Sequence, residues 1–148
     1  MASVKGGEAL AAKLAEVAKL VGNASAVRVG FLENASYPSG EKVAMIAAIN
    51  EYGAPSRGQP PRPFFRQMIA RHKDEWGPAI AGLLKANNYD ALRTLQLTGE
   101  AVAGQLRQSI VDLVAPPLAA STIARKGFDK PLIDTGHMWQ SVDYEVQA

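Results

Sequence analysis

Four consecutive residues near the C-terminus, Asp134, Thr135, Gly136 and His137, are of types that could carry out acid–base chemistry. An Asp-Thr-Gly triplet suggests an acid protease, in which two neighbouring aspartates share one proton. That chemistry needs a second equivalent triplet or a dimer, and a different strand-and-turn context from the one found here. We therefore interpret the triplet as structural: Asp134 or Thr135 accepts the free backbone amides at the start of a short helical turn.

Other groups that could do chemistry have no supporting pattern. The two histidines, His72 and His137, lack metal-ligand spacing, and the chain has no cysteine, which excludes disulfides and thiolate-bound zinc. No GxSxG elbow, phosphate-binding loop or dinucleotide fingerprint occurs. We therefore predict that the protein is not an enzyme, and we assign no catalytic, metal-binding or cofactor-binding residues and no cofactor.

The composition is that of an ordinary globular protein. The chain has 148 residues, of which 47% are hydrophobic and 20% charged, and its formal net charge is +2. This charge is too small to require nucleic acid or anionic lipid as a partner. Lys13, Glu16 and Lys19 interrupt the apolar N-terminal stretch, and no apolar run is long enough to span a membrane. We expect a single domain over residues 1–148, made in the cytoplasm, with no membrane partner.

Hydrophobic spacing predicts the elements of the first part of the chain. A helix ends near Gly22, and spacings of four and three residues give it an apolar stripe that consists of Leu10, Leu14, Val17 and Val21. Alternation with period two predicts a strand over residues 26–32, and residues 33–40 read as a loop. Helical spacing resumes over residues 41–53, with Gly53 as the C-terminal cap.

A proline-rich segment divides the chain. Residues 54–63 hold four prolines, which exclude regular structure and predict a projecting loop over residues 54–62. A long amphipathic helix starts at Pro63, and we expect Gly77-Pro78 to interrupt it. After a turn over residues 87–90, a second long helix reaches about Leu113, so the two helices should form an antiparallel pair.

The C-terminal part adds a short helix and a strand. The helix is predicted over residues 118–127 and the strand over residues 141–147, after a turn that Met138 and Trp139 anchor on the core. The sheet would consist of the early and terminal strands, and a loop-derived strand could lie between them. The predicted fold class is α+β, a small, mostly antiparallel sheet packed against several helices including the long antiparallel helix pair.

A basic run precedes and enters the first long helix. It has no acidic residue before Asp74, and its members are Arg57, Arg62, Arg66, Arg71 and Lys73. Such a run can be a solvated surface, or it can contact phosphates or an acidic protein surface. Because no exposed aromatic residues are interleaved with it, we favour contact with protein. A DNA-binding module that uses residues 57–73 is the alternative function from a different class.

Two blocks of sequence carry a resemblance to known proteins. The first block, residues 47–66, is a helix that ends in Glu-Tyr-Gly, then a variable loop, then a Pro-Arg-Pro-Phe-Phe-Arg segment. Its characteristic residues are Glu51, Tyr52, Gly53, Pro61, Arg62, Pro63, Phe64, Phe65 and Arg66. The characteristic residues of the second block are Thr122, Lys126, Gly127, Lys130, Pro131, Leu132, Asp134, Thr135 and Gly136. In this order, and in a chain of this length, the blocks resemble the neck or tail-completion (virion morphogenesis) proteins of long-tailed bacteriophages.

The resemblance implies a structural protein of the virion, assembled in the cytoplasm of the bacterial host. Such a subunit forms a homo-oligomeric ring, expected to be six-fold, that terminates the tail and joins it to the DNA-filled head. Its partners would be other copies of itself, the neighbouring connector or adaptor, and the tail tube or tail terminator, with passing contact to genomic DNA. A head-side connector in twelve copies is the alternative within the same class.

In such a ring the proline-rich segment would act as an arm toward a neighbour. Prolines lower the ordering cost of docking, phenylalanines provide apolar anchors, and arginines can bind carboxylates on the partner. We expect Phe65 to belong to the core stripe of the long helix and Phe64, which is out of that register, to face the neighbour. The candidate interface residues are Arg57, Pro61, Arg62, Pro63, Phe64 and Arg66.

Overall fold

The computed structural model describes residues 5–127, 132 and 136–148. In chain order these residues form α1 (Gly7–Val21), β1 (Ala26–Phe31), α2 (Val43–Tyr52), α3 (Phe64–Ala86), α4 (Ala91–Asp112), α5 (Ala120–Lys126), α6 (His137–Gln140) and β2 (Val142–Gln147). A single turn of 3-10 helix, Pro55–Arg57, lies in the proline-rich loop. The predicted α+β fold class, with helices packed on a small antiparallel sheet, is confirmed.

The sheet joins the early strand to the terminal strand. β1 and β2 are antiparallel, with a register that runs from Ala26 opposite Gln147 to Phe31 opposite Val142. Among the described residues, the loop after β1 contributes only an isolated bridge between Ser36 and Lys42 and no third strand. A loop-derived strand is therefore absent from the described part of the sheet.

Helix α4 is the central element, because it contacts α3 and both strands. Gly99 lies where α4 meets the sheet. A Cβ atom at this position would lie 2.7 Å from Cγ of Tyr144 and 2.9 Å from Cγ2 of Val27. The helix can approach the sheet this closely only because residue 99 has no side chain.

Helices α3 and α4 form the predicted antiparallel pair. Near the start of α3, the carbonyl of Phe64 accepts a hydrogen bond from Ser109 Oγ (2.6 Å). Further along α3, Trp76 Nε1 donates to Gln105 Oε1 (2.8 Å), so α4 runs back along α3. The turn between them uses positive φ angles at Asn88 and Tyr89.

The expected interruption of α3 at Gly77-Pro78 is wrong, because one helix continues from Phe64 to Ala86 through Pro78. Proline removes one backbone hydrogen bond from a helix interior. The carbonyl that loses its partner is that of Asp74, four residues earlier, and Asp74 is exposed, so this carbonyl can be solvated. Contacts between α3 and α4 support the helix.

The core lies between the α3–α4 pair, α2 and the sheet. Phe31 and Phe64 meet edge to face with ring centroids 6.2 Å apart. The C-terminal region contributes Leu132, Met138 and Val142 to the same cluster. The remaining buried members are Val43, Ala47, Phe64, Met68, Ala103, Leu106, Ile110 and Leu113.

The predicted anchoring turn before β2 is present as α6. Met138 is buried as expected, whereas Trp139 remains 38% exposed. Gly136 precedes the helix in a left-handed conformation (φ 79°) that favours glycine. The predicted caps, Asp134 and Thr135, lie outside the described residues, as do Lys130 and Pro131 of the same motif.

Helix α1 forms where it was predicted, but most of its apolar stripe is exposed, and only Val17 of the stripe is partly buried. Leu10 is 61% exposed, and no residue of α1 is buried. The helix is tied to α4 at its end, where Asn23 Oδ1 accepts a hydrogen bond from the backbone N–H of Leu92 (2.8 Å). The spacing of the stripe therefore predicted the helix, but not which surface would cover it.

Candidate interaction surface

A buried glutamate holds the two halves of the first motif block together. The Glu51 carboxylate is 4% exposed and accepts hydrogen bonds from the backbone N–H groups of Phe65 (2.9 Å) and Arg66 (3.2 Å). It also accepts from Nε of Arg66 at 2.7 Å. The Arg66 side chain closes the contact by donating from Nη2 to the Glu51 carbonyl (3.1 Å).

This contact supplies a cap that the local sequence cannot provide. The residue before α3 is Pro63, which has no side-chain acceptor, and α3 has no local side-chain cap. The first amides of a helix need acceptors and favour a negative charge. Glu51, at the end of α2, provides both. The sequence alone did not indicate this role. The available signal was a glutamate at the end of one helix and, after the loop, a Pro-Phe-Phe-Arg helix start that has no acceptor of its own.

The loop between α2 and α3 folds back sharply on itself at Gly53. Its φ of 78° favours glycine, and a Cβ atom there would lie 2.8 Å from both the Gln59 carbonyl oxygen and the Pro61 nitrogen. Ala54 and Gln59 then exchange backbone hydrogen bonds of 2.9 and 3.1 Å. The chain is thereby constrained in a short hairpin, and its exposed positions are residues 55–58, 60 and 61.

Tyr52 and Arg66 form the outer part of the Glu51–Arg66 contact. The Arg66 guanidinium carbon lies 5.0 Å from the centroid of the Tyr52 ring, a cation–π distance. Tyr52 itself is exposed. Arg66 is therefore committed to contacts within the chain, although 56% of its side chain remains accessible.

Arg62 is buried in a different way. Its backbone N–H donates to the Asn50 carbonyl (2.7 Å), and its side chain reaches the carbonyls of Pro116 (3.4 Å) and Pro117 (3.5 Å). These side-chain bonds are long, and the residue is only 6% exposed. Burial lowers the pKa of the Arg62 guanidinium from its usual value. Among the described residues, no carboxylate lies within 4.0 Å of this guanidinium.

Arg62 lines a cleft of about 850 Å³. One side of the cleft belongs to the first motif block and its loop, with Arg57, Gln59 and Arg62. Another part of the lining belongs to α5 of the second motif block, with Thr122 and Arg125. The two blocks are far apart in the sequence, and the fold brings them to the lining of one cavity.

The burial of the phenylalanines corrects the predicted register of α3. Phe64, which was expected to face a neighbour, is 1% exposed and belongs to the core, whereas Phe65 is only partly buried. The helix begins at Phe64 under the Glu51 cap, and this orientation turns Phe64 and Met68 inward. Phe64 cannot act as an interface anchor in this conformation.

The other candidate interface residues are divided between surface and interior. Arg57 and Pro61 are exposed, Pro63 is partly buried, and Arg62 is buried. The predicted arm is therefore fastened to the body of the protein at its C-terminal end. Reversing the charge of Arg62 or Arg66 would disturb the fold as well as any interface, so neither change is a clean test of assembly.

A smaller groove of about 330 Å³ lies beside the Glu51 contact. Its walls come from β1, α2 and the first turns of α3, and it is lined by Phe31, Ala44, Ala47, Ala48, Glu51, Tyr52, Phe65, Arg66 and Ile69. The lining is mainly apolar, with exposed Tyr52 and Ile69 at its border.

The histidines take part in local contacts. Nε2 of His137 lies 2.8 Å from the Ser36 carbonyl, and its ring packs against Tyr37 with centroids 4.7 Å apart. His72 Nδ1 lies 3.1 Å from a carboxylate oxygen of Glu75. In the part of the chain that the structure describes, no group of three or more potential ligands could hold a metal ion. No described helix has the length and hydrophobicity needed to cross a membrane.

Comparison of the chain with protein-family models, curated proteins and solved structures finds no match. Function must therefore be argued from the motif blocks and from the surface that they form.

Proposed function

We propose that the chain is a structural virion protein, a neck or tail-completion subunit that forms a ring at the head–tail interface. The ring would terminate the tail and join it to the DNA-filled head. The proposal starts from the resemblance of the two sequence blocks to that class of protein.

One structural observation carries the proposal further. Both blocks line the same cleft, through Arg62 from the first block and Thr122 from the second. Both also contribute to one core, in which Phe64 and Leu132 are buried. Residues of a motif can stabilise a fold or form a binding surface, and the shared core and the shared cleft support both roles for the two blocks.

The surface around the cleft has properties that suit repeated assembly. The hairpin of residues 54–59 is held by its own backbone bonds, so little conformational entropy would be lost when a neighbour docks against it. A contact between this cleft and a different patch of the next copy would be heterologous, and such contacts close into rings when the rotation allows it.

The proposal is tested by electron microscopy of lysates from a phage in which this gene is disrupted. DNA-filled heads beside separate tails are the expected result. Heads that have lost their DNA beside normal tails would instead assign the protein to the head-side connector. Intact, infectious particles would overturn both assignments.

Complementation of the disrupted gene connects this phenotype to the surface. Arg57→Glu reverses an exposed charge at the cleft and should lower the yield of joined particles without changing the melting temperature. Arg71→Glu makes the same change at an exposed position of α3 that does not line the cleft, and it should complement normally. Equal loss with both variants would favour the basic run of residues 57–73 as a DNA-binding surface.

A further inference from the structure

The cleft contains a largely buried positive charge, that of Arg62, which makes only two long side-chain hydrogen bonds to described residues. A guanidinium has five N–H donors, and the only acceptors that described residues offer Arg62 are the two proline carbonyls at 3.4 and 3.5 Å. A buried charge without a counter-ion costs free energy. A residue that costs stability can be kept because it binds something, and an anionic ligand would supply the missing counter-ion.

The lining of the cleft is predominantly cationic around Arg62. Arg57 and Arg125 are exposed and make no ion pair with a described carboxylate. Lys126 also contributes to the lining. The one acidic residue in the described lining is Glu41, whose carboxylate accepts a hydrogen bond from Ser39 Oγ (3.1 Å). Among the described residues of the lining, the basic side chains therefore outnumber the acidic one.

We propose that this cleft binds carboxylate side chains of an acidic segment on a partner protein, with Arg62 at its base and Arg57 and Arg125 at its sides. Planar guanidinium groups bind carboxylates through two parallel hydrogen bonds. A glutamate or aspartate that enters the cleft would thus provide the counter-ion that Arg62 lacks within the described chain.

The shape and chemistry of the cleft favour a peptide over duplex DNA. Part of the lining is apolar, from Ile46, Pro60 and Leu118, and this surface can contact the chain and side-chain carbons of a peptide. The Arg62 guanidinium is withdrawn from the surface, whereas the phosphates of a duplex lie on the outside of a wide, rigid cylinder. A flexible acidic side chain can reach this base more easily.

The inference deepens the proposed function and rests on it only for the identity of the partner as a neighbouring virion subunit. The chemistry of the cleft can be tested with purified protein alone. A fluorescein-labelled hexaglutamate peptide serves as the probe in fluorescence anisotropy at low ionic strength, with hexaglutamine as the uncharged control. Binding should be detectable for hexaglutamate only.

Two variants remove the cleft charges, and a third serves as their control. Arg57→Glu with Arg125→Glu, and separately Arg62→Met, should each weaken hexaglutamate binding at least tenfold. The control, Arg71→Glu with Lys73→Glu, changes the net charge as much as the first pair, but at exposed positions of α3 away from the cleft. It should change the affinity less than twofold. The melting temperature of each variant establishes that the fold is retained.

Three results would overturn the inference. The unmodified protein could fail to bind hexaglutamate, or the cleft pair and the control pair of substitutions could weaken hexaglutamate binding equally. A 20-base-pair DNA duplex could also bind at the cleft more tightly than hexaglutamate. If peptide binding behaves as expected while the gene-disrupted phage forms intact particles, the proposed function fails and the cleft assignment stands. If the disrupted phage forms separate heads and tails while the purified protein binds no peptide, the proposed function stands and the cleft assignment fails.

Discussion

Glu51 and Arg62 belong to the same motif block and are buried to nearly the same depth, but their charges have different surroundings. The Glu51 carboxylate accepts three hydrogen bonds, and two of them come from Arg66, with which it also forms an ion pair. Arg62 has a close backbone bond to Asn50 but only long side-chain contacts to carbonyls. One charge is compensated within the chain, and the other is not compensated by any described residue.

The difference separates a structural role from a binding role. A buried carboxylate that caps a helix and pairs with an arginine stabilises the fold directly. A buried arginine that has no counter-ion is a cost to the fold. If this comparison is right, the two residues should respond in opposite ways when their charges are removed.

The largest expected effect is the loss of Glu51. Glu51→Ala leaves two amides of α3 without their acceptor and removes the partner of Arg66, so we expect the free energy of unfolding to fall by about 3 kcal/mol. Urea denaturation followed by circular dichroism measures this change. Glu51→Gln keeps an acceptor for the amides and should lose about half as much. A loss below about 1 kcal/mol for the alanine variant would contradict the capping role.

Removal of Arg66 should have a smaller effect. Its side chain is half exposed, so the Glu51 carboxylate would keep both backbone donors and could gain water in place of the guanidinium. We expect Arg66→Met to cost about 1–2 kcal/mol. The double variant with Glu51→Ala should cost less than the sum of the single changes, since the residues interact directly. Additive losses in the same urea experiment would mean that the ion pair adds nothing to the cap.

Arg62→Met is predicted to leave stability unchanged or to raise it by up to about 1 kcal/mol. The substitution removes a buried charge that no described residue compensates, keeps an unbranched apolar chain in place of the aliphatic part of the arginine, and leaves the backbone bond to Asn50 in place. The contrast with Glu51→Ala is therefore one of sign as well as size. A loss above about 2 kcal/mol would show that the long bonds to Pro116 and Pro117 hold the structure together and would remove the basis of the comparison.

The sequence predicted those parts of the fold that depend on local pattern. Alternation identified β1 and β2, and Gly53, with a positive φ angle, caps α2 as expected. The core face of α4 was harder to predict, because Thr94 and Thr98 are buried on it. Their hydroxyls donate to backbone carbonyls one turn earlier, at 2.7 and 2.9 Å, so their polarity is satisfied inside the helix.

The candidate surface depended on contacts that no local pattern contains. The orientation of Phe64 follows from the Glu51 cap, which connects two separate helices. The cleft is lined by both α5 and the proline-rich loop, so Arg125, which the sequence did not indicate, lines the same cleft as Arg57 and Arg62. Motif matching found most of the residues, but only the fold shows which of them share a surface.

The smallest expected effect concerns an exposed carboxylate that caps a helix locally. Asp90 accepts a hydrogen bond from the backbone N–H of Arg93 (3.1 Å) and another from the Asn23 side chain (3.1 Å). The Arg93 amide, and secondarily Asn23, lower the pKa of Asp90 below its usual value of 3.8. Because the folded pKa is lowered, the contribution of its charge to stability is present above 3.8 and disappears as the pH falls through the lowered value.

Asp90→Asn keeps a capping oxygen but cannot titrate, so the variant should show a shallower loss of stability below pH 4 than the unmodified protein. Thermal unfolding monitored from pH 2.5 to pH 6 measures this difference. At neutral pH the variant should melt close to the unmodified protein, in contrast to Glu51→Ala. Parallel pH profiles for the two proteins would mean that the hydrogen bonds at Asp90 do not favour its charged form. Of the two caps compared, only Glu51, with its buried ion pair, would then depend on its charge.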